Sequence, residues 1–335
     1  MTDRSPTRPD VVAARPELGG GATTPSFGLP ADAPTGIPGP AARLQIGPAP
    51  FDWGTRTFVM GILNVTPDSF SGDGLLASTP GATDPDPVAA AVAIGRRMVD
   101  EGADLLDVGG ESTRPGHEVV ADDDEIARVV PIVRALRAAL PDTPLSIDTT
   151  KVAVAAAALD AGANLVNDVW GVGQDDALLR LAAAVGAPIV LMHNRAEARY
   201  MNLMAEVVAD LQRAIERAIR CGIAPESIVI DPGFGFGKTP AHNLVLLRDL
   251  AILRILGRPI LLGTSRKSTL GKVLDLPADQ RLEATLATTA LGVAAGVDIV
   301  RVHDVRANVR AARMADAIVR RPGPSAAHPT EGDQP

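Results

Sequence analysis

Cysteine is almost missing from this 335-residue chain, where Cys221 stands alone. A single cysteine excludes intramolecular disulfides and points to a reducing compartment. Aromatic residues are only 3% of the total, so a core has to be built from Ala, Val, Leu and Ile. No apolar run reaches the roughly 18 residues that a membrane-spanning helix needs. The amino terminus carries charges but no apolar segment of the secretory kind. Basic residues are in deficit, 32 against 40 acidic for a net charge of −8, which argues against nucleic acid or a membrane surface as partner. Metal-ligand spacing is also missing, since the five histidines are scattered and no cysteine pair exists. No nucleophile elbow supports a Ser-His-Asp triad. These absences predict a soluble, cytoplasmic protein.

What is present is a chain 46% hydrophobic and long enough for a sizeable core. Residues 1–41 are rich in Pro, Gly, Ala and Thr, with ten of the 28 prolines in the first fifty positions. Such a segment cannot bury enough apolar surface to offset its ordering entropy, so a disordered tail is expected there and again over 321–335. A single domain over 42–320 lies between. Its first part, Leu44 to Ile46 and Phe51 to Phe58, reads as a hairpin feeding a buried strand at 59–63. Short apolar runs then recur at 105–108, 145–147, 165–166, 189–191, 228–230, 260–262 and 299–300. Helical stretches alternate with them near 87–101, from 122 onward, and near 152–160, 175–184, 205–220, 243–256, 281–295 and 306–320. Eight βα units of this size predict an α/β fold, a (β/α)₈ TIM barrel with a short N-terminal hairpin, with a doubly wound sheet as the alternative.

In a barrel, function gathers on the loops after the strands. Here nearly every strand ends in a polar cluster. The loops carry Asn64 to Gly74, Gly109 to Gly116, Asp148 to Lys151, Asn167-Asp168, Met192 to Arg195, Asp231 to Thr239, Ser265 to Ser268 and Arg301 to Asp304. Each residue alone is explained by a helix cap or turn; their recurrence at strand ends is not. His193 taken singly is expected to be a structural hydrogen-bonder. Gly237-Lys238-Thr239 resembles the end of a phosphate loop, but Pro232 occupies the first glycine position and Pro240 is expected to keep a helix from following at once. The nucleotide reading is therefore rejected. Arg301 and His303 fall on one face of an extended segment, and with Arg266 and Lys267 they form a credible phosphate cradle. Across from them Asp148, Asn167 and Asp231 suit a flat ring rich in hydrogen-bond donors.

These blocks, in this order, resemble the dihydropteroate synthases of the pterin-binding family. The likeness spans roughly 42–320, and its most specific parts are Gly61 to Ser71 and Gly110 to Gly116. The resemblance implies transfer of a dihydropterin-methyl group from its diphosphate to 4-aminobenzoate, giving 7,8-dihydropteroate. It implies Asp148, Asn167, Asp231 and Lys267 at the pterin, with Asp148, Lys267 and Asp231 catalytic. Asn64, Arg301, His303 and Arg114 would hold the diphosphate, and Thr113, Pro115, Phe70 and Ser268 the aminobenzoate. It further implies Mg²⁺ near Asn64 and Asp73, and a homodimer. In the first loop Gly72 stands where the family usually has aspartate, which shifts the acid to Asp73. A catalytically degenerate pterin-binding paralogue and a methyltetrahydrofolate-dependent methyltransferase are the competing readings. The Ser-Arg-Lys, Arg-x-His and Ser-Thr-Arg-Pro elements together speak against the methyltransferase.

Overall fold

The computed structural model describes residues 43–65, 86–111, 120–173 and 175–320. Both tails, and with them the expectation of disorder, lie outside the described residues. Strands β1 (Arg43–Ile46) and β2 (Ala49–Asp52) form an antiparallel hairpin. The second hairpin strand is shorter than expected: it stops at Asp52 and a turn separates it from β3 (Phe58–Asn64).

From β3 the chain alternates. In order come α1 (Pro87–Asp100), β4 (Leu105–Gly109), α2 (Asp122–Ala139), β5 (Leu145–Asp148), α3 (Val152–Asp160), β6 (Leu165–Asp168), α4 (Ala177–Val185), β7 (Ile189–Met192) and α5 (Leu203–Arg220). Then follow β8 (Ile228–Asp231), α6 (Pro240–Arg248), β9 (Leu261–Leu262), α7 (Ser268–Leu274), α8 (Leu282–Ala294), β10 (Ile299–Val302) and α9 (Val305–Val319). The eight strands β3 to β10 are parallel, in the order β8-β7-β6-β5-β4-β3-β10-β9. A parallel bridge between Ile230 and Ile260 joins the two edges and closes the (β/α)₈ barrel.

The apolar composition of these strands follows from their position, since helices cover the outside and side chains fill the inside. Met60, Leu105, Leu165, Val190, Val229, Leu261 and Ile299, near the amino ends of their strands, form one buried cluster with Leu44, Ile46, Phe51, Trp53 and Phe58. The hairpin thus seals that end of the barrel. Phe51, Trp53 and Phe58 stack mutually at centroid distances of 4.6 to 5.6 Å. Full burial of such a side chain contributes about 2–3 kcal/mol, so these three aromatics make a substantial plug.

Three helical expectations are corrected. The stretch 243–256 is not one helix: α6 ends at Arg248 and a 3₁₀ segment runs over Leu250–Leu256. Pro240 does not delay α6 but begins it, in the first-turn position where a missing N–H costs nothing, with Thr239 capping the amide of His242. The short helix α7 falls in a stretch where no helix is expected. A Cβ on Gly271 would lie 2.3 Å from the Arg281 guanidinium, which would have to move.

Candidate functional site

Strand register builds the first part of the site. Asn64 pairs with Gly109, Gly109 with Asp148, and Asp148 with Asn167, so these four residues form one row along the carboxyl rim. Gly109 contributes no side chain, which leaves the space between Asn64 and Asp148 open. Arg301 reaches this row from β10. Its Nε donates to Asp107 Oδ2 at 2.5 Å and its Nη2 to Asp148 Oδ2 at 2.7 Å. Asn167 Nδ2 donates to the same Asp107 oxygen at 2.9 Å.

Asp107 is the residue that reading the sequence missed. It sits inside β4 between Leu106 and Val108 and is fully buried. An acid in the middle of an apolar strand was the available signal, because buried carboxylates demand a partner. Two carboxylate oxygens nevertheless stay unsatisfied: Asp107 Oδ1 and Asp148 Oδ1 are buried without a hydrogen-bond partner among the described residues. Burial drives the Asp148 carboxyl up to about 7; Arg301 pulls it down and Asp107 pushes it further up. Burial disfavours the Arg301 cation too, yet the two aspartates outweigh it and hold the guanidinium above its ordinary value.

The second part comes from β8 and β9. Asp231, the last residue of β8, accepts the Gly233 amide at 2.6 Å. Burial raises its pKa, opposed chiefly by Lys267. Lys267 precedes α7, donates to the carbonyl of Phe234 and lies 4.3 Å from the centroid of the Phe236 ring. Burial lowers its ammonium to about 8, with Asp231 opposing. A Cβ at Gly263 would stand 3.8 Å from Arg301 Cβ and 3.9 Å from Lys267 Nζ, so the two cations flank this glycine. Ser268 is exposed at the start of α7.

The third part locks the last two loops together. Ser265 Oγ is 2.9 Å from His303 Nδ1 and accepts the His303 amide at 3.1 Å. Arg266, with φ of 57°, pairs with both Asp304 oxygens at 3.1 and 2.6 Å, and its carbonyl accepts from Arg281 at 2.9 Å. Arg266 therefore anchors the loop and is not part of the phosphate cradle with which it was first grouped. His193, fully buried, bonds Asp210 and Lys238, as a structural histidine does.

The structure thus brings Asp148, Asn167 and Arg301 together, with Asn64 in the same strand row. It places Asp231 beside Lys267, and His303 against Ser265. Phe70, Asp73, Thr113, Arg114 and Pro115 lie outside the described residues. Among the described residues no group of three or more His, Cys, Asp or Glu could hold a metal ion, and no helix is long and apolar enough to cross a membrane.

The family described as pterin binding enzyme matches residues 60–303. A dihydropteroate synthase of Clostridium beijerinckii is 48% identical over 279 residues, covering 83% of this chain and all of the relative. The Bacillus subtilis enzyme of that name is 44% identical, covering 82% and 93%. Among solved structures, the Clostridium difficile dihydropteroate synthase determined with pteroic acid superposes with a TM-score of 0.75 at 48% identity, covering 81% of this chain and 100% of that one. The Xanthomonas albilineans dihydropteroate synthase with 4-aminobenzoic acid gives 0.76 at 42% identity, covering 84% and 100%. With a matched stretch that runs from β3 into the loop after β10, and with relatives covered along nearly their whole length, the chain belongs to the pterin-binding enzymes, among their dihydropteroate synthases.

Proposed function

We propose that the carboxyl rim performs the dihydropteroate synthase reaction. The observation that carries this assignment is the pair of orphaned carboxylate oxygens on Asp107 and Asp148. A buried acceptor without a donor is costly, and the N–H groups of an amino-pyrimidine ring would relieve it. Asp148, Asn167 and Asp231 receive the pterin ring, with Lys267 beside it. Arg301, His303, Asn64 and Arg114 hold the diphosphate, and Thr113, Pro115, Phe70 and Ser268 shape the aminobenzoate position.

The chemistry then follows from charge. The C–O bond between the pterin methylene and the diphosphate breaks, and its electron pair leaves with the diphosphate. The positive charge left on the methylene spreads into the pterin ring, facing Asp148 and Asp231. The amine of 4-aminobenzoate attacks the methylene, forms the C–N bond and loses a proton to solvent. Fixed charges placed for the transition state do most of this work, and no side-chain nucleophile is required. The amide oxygen of Asn64, exposed at the rim, fits a Mg²⁺ that arrives with phosphate oxygens, because this ion keeps few protein ligands. Asn64 with Asp73 would hold it, and the ion would supply charge neutralisation to the leaving group.

A homodimer through α8 and α9 is supported by Leu291, Met314 and Ile318, which are 58%, 64% and 71% exposed there. The lone cysteine, Cys221, supports a reducing, cytoplasmic location. Purified protein given both substrates and Mg²⁺ is expected to release dihydropteroate and diphosphate in equal amounts. Pterin binding without product would favour the degenerate paralogue.

A further inference from the structure

Lys238, the lysine of the phosphate-loop fragment, has no part in the reaction above, yet it is among the most heavily bonded cations of the described residues. Its ammonium donates to the carbonyls of Gly233 at 3.0 Å and Phe236 at 3.1 Å, and lies 2.8 Å from His193 Nδ1. With the His193 carbonyl at 3.5 Å as a fourth acceptor, the three ammonium protons are fully engaged and none is left for a phosphate. Burial lowers the Lys238 ammonium to about 7, with Asp231 opposing; in its charged form it accepts nothing, so Nδ1 carries the lone pair and the ring proton sits on Nε2. That nitrogen is 3.1 Å from Asp210 Oδ2 and donates to it. Asp210 in turn takes Arg195 Nε at 2.9 Å and Nη2 at 2.7 Å. Burial, with Lys238 adding to it, lowers His193 to about 3, so the ring stays neutral at ordinary pH.

The two carbonyls that Lys238 binds are the informative ones. Gly233 and Phe236 bracket Phe234, whose own carbonyl accepts from Lys267. The Gly233 amide is the group that aligns Asp231. One cation therefore holds the 233–234 peptide, which joins the Gly233 amide that orients Asp231 to the Phe234 residue that receives Lys267, and a second peptide, 236–237, further along the same loop. The loop presses on the residue after β7: a Cβ on Gly233, whose φ is 67°, would lie 1.8 Å from the His193 carbonyl oxygen. The amide of His193 also donates to the Asp231 carbonyl at 2.8 Å.

We infer that Lys238 is a positioning residue, held by His193 and Asp210, that presets the 231–239 loop so that Asp231 and Lys267 meet the pterin in a fixed arrangement. The inference rests on the assignment of Asp231 and Lys267 to the pterin. Preset geometry of this kind lowers the ordering cost of the reacting complex, and a small displacement costs rate steeply.

The test compares full-length Lys238→Met, His193→Asn and Asp231→Asn with the unmodified enzyme below their melting temperatures. Lys238→Met is expected to lose about tenfold or more in kcat/KM for the pterin diphosphate, while KM for 4-aminobenzoate stays within about twofold. Unchanged pterin kinetics, with only a lowered melting temperature, would reduce Lys238 to a purely structural role and overturn the inference. Nitrogen-15 spectra of the unmodified protein supply a readout independent of folding of the variants. They are expected to show His193 as the neutral Nε2–H tautomer across neutral pH; an Nδ1–H ring would sink the arrangement. If Asp231→Asn leaves pterin affinity intact, the pterin assignment itself fails. If it weakens binding while Lys238→Met does not, only the positioning role fails.

Discussion

Two buried charge clusters stand on neighbouring parts of the same rim, and they are bonded in opposite ways. Around Lys238, His193, Asp210 and Arg195, each charged group named has its partners inside the chain. Around Arg301, Asp107, Asp148 and Asn167, two carboxylate oxygens lack them. Both clusters bear the desolvation cost of buried charge, so burial alone does not separate a binding site from a brace. What separates them is completeness. The closed network spends all its hydrogen bonds on holding the chain, while the open one keeps acceptors in reserve for a ligand.

Substitutions on either side can break that contrast. The largest effect is expected at the open cluster. Asp148→Asn removes the negative charge proposed to face the pterin cation and leaves Arg301 half paired, and should lower kcat/KM by about 100-fold or more, beyond any fall in melting temperature. Steady-state rates alongside thermal melts check it; near-normal turnover would count against the role given to this carboxylate. Next comes Asp210→Ala in the closed cluster. It leaves Arg195 with Glu206 as its remaining carboxylate partner and strands the buried His193 ring proton, so about 1–3 kcal/mol of stability should be lost, the cost of an unsatisfied buried donor. Urea unfolding measures this.

The smallest effect is a pH dependence. The Asp148 carboxyl titrates near 7 in the fold, above its ordinary 3.8, and the Lys267 ammonium near 8, below its ordinary 10.5. An acid with a raised pKa contributes most to stability at low pH and loses that contribution as pH rises from about 4 through 7. The reactive form needs the opposite state, with Asp148 ionised and Lys267 charged. kcat/KM should therefore rise through about 7 and fall above about 8, and the acidic arm should vanish in Asp148→Asn. A flat profile in the unmodified enzyme would remove the titration argument.

The barrel was legible because its strands are short apolar runs that polar clusters interrupt, and the register row Asn64, Asp148, Asn167 falls where those clusters begin. Arg301 and His303 were readable from the two-residue period of a strand. Asp107 was not, because inside an apolar strand a single acid looks like an exception until Arg301 arrives from nearly two hundred residues away. The role of Lys238 was hidden for a related reason. Its neighbours suggest phosphate, and only the fold shows that carbonyls of its own loop have taken its protons. Arg266 and Lys267 are neighbours in the sequence, and the left-handed backbone at Arg266 turns these adjacent cations to different partners.

The aromatic hairpin at the amino end of the barrel has a consequence for traffic. With Phe51, Trp53 and Phe58 stoppering that end, the proposed site opens at the carboxyl rim. Both substrates, the diphosphate and the finished product would cross that rim, so each departure clears the way for the next arrival. Turnover in such a vessel is a matter of queueing as well as of bond making.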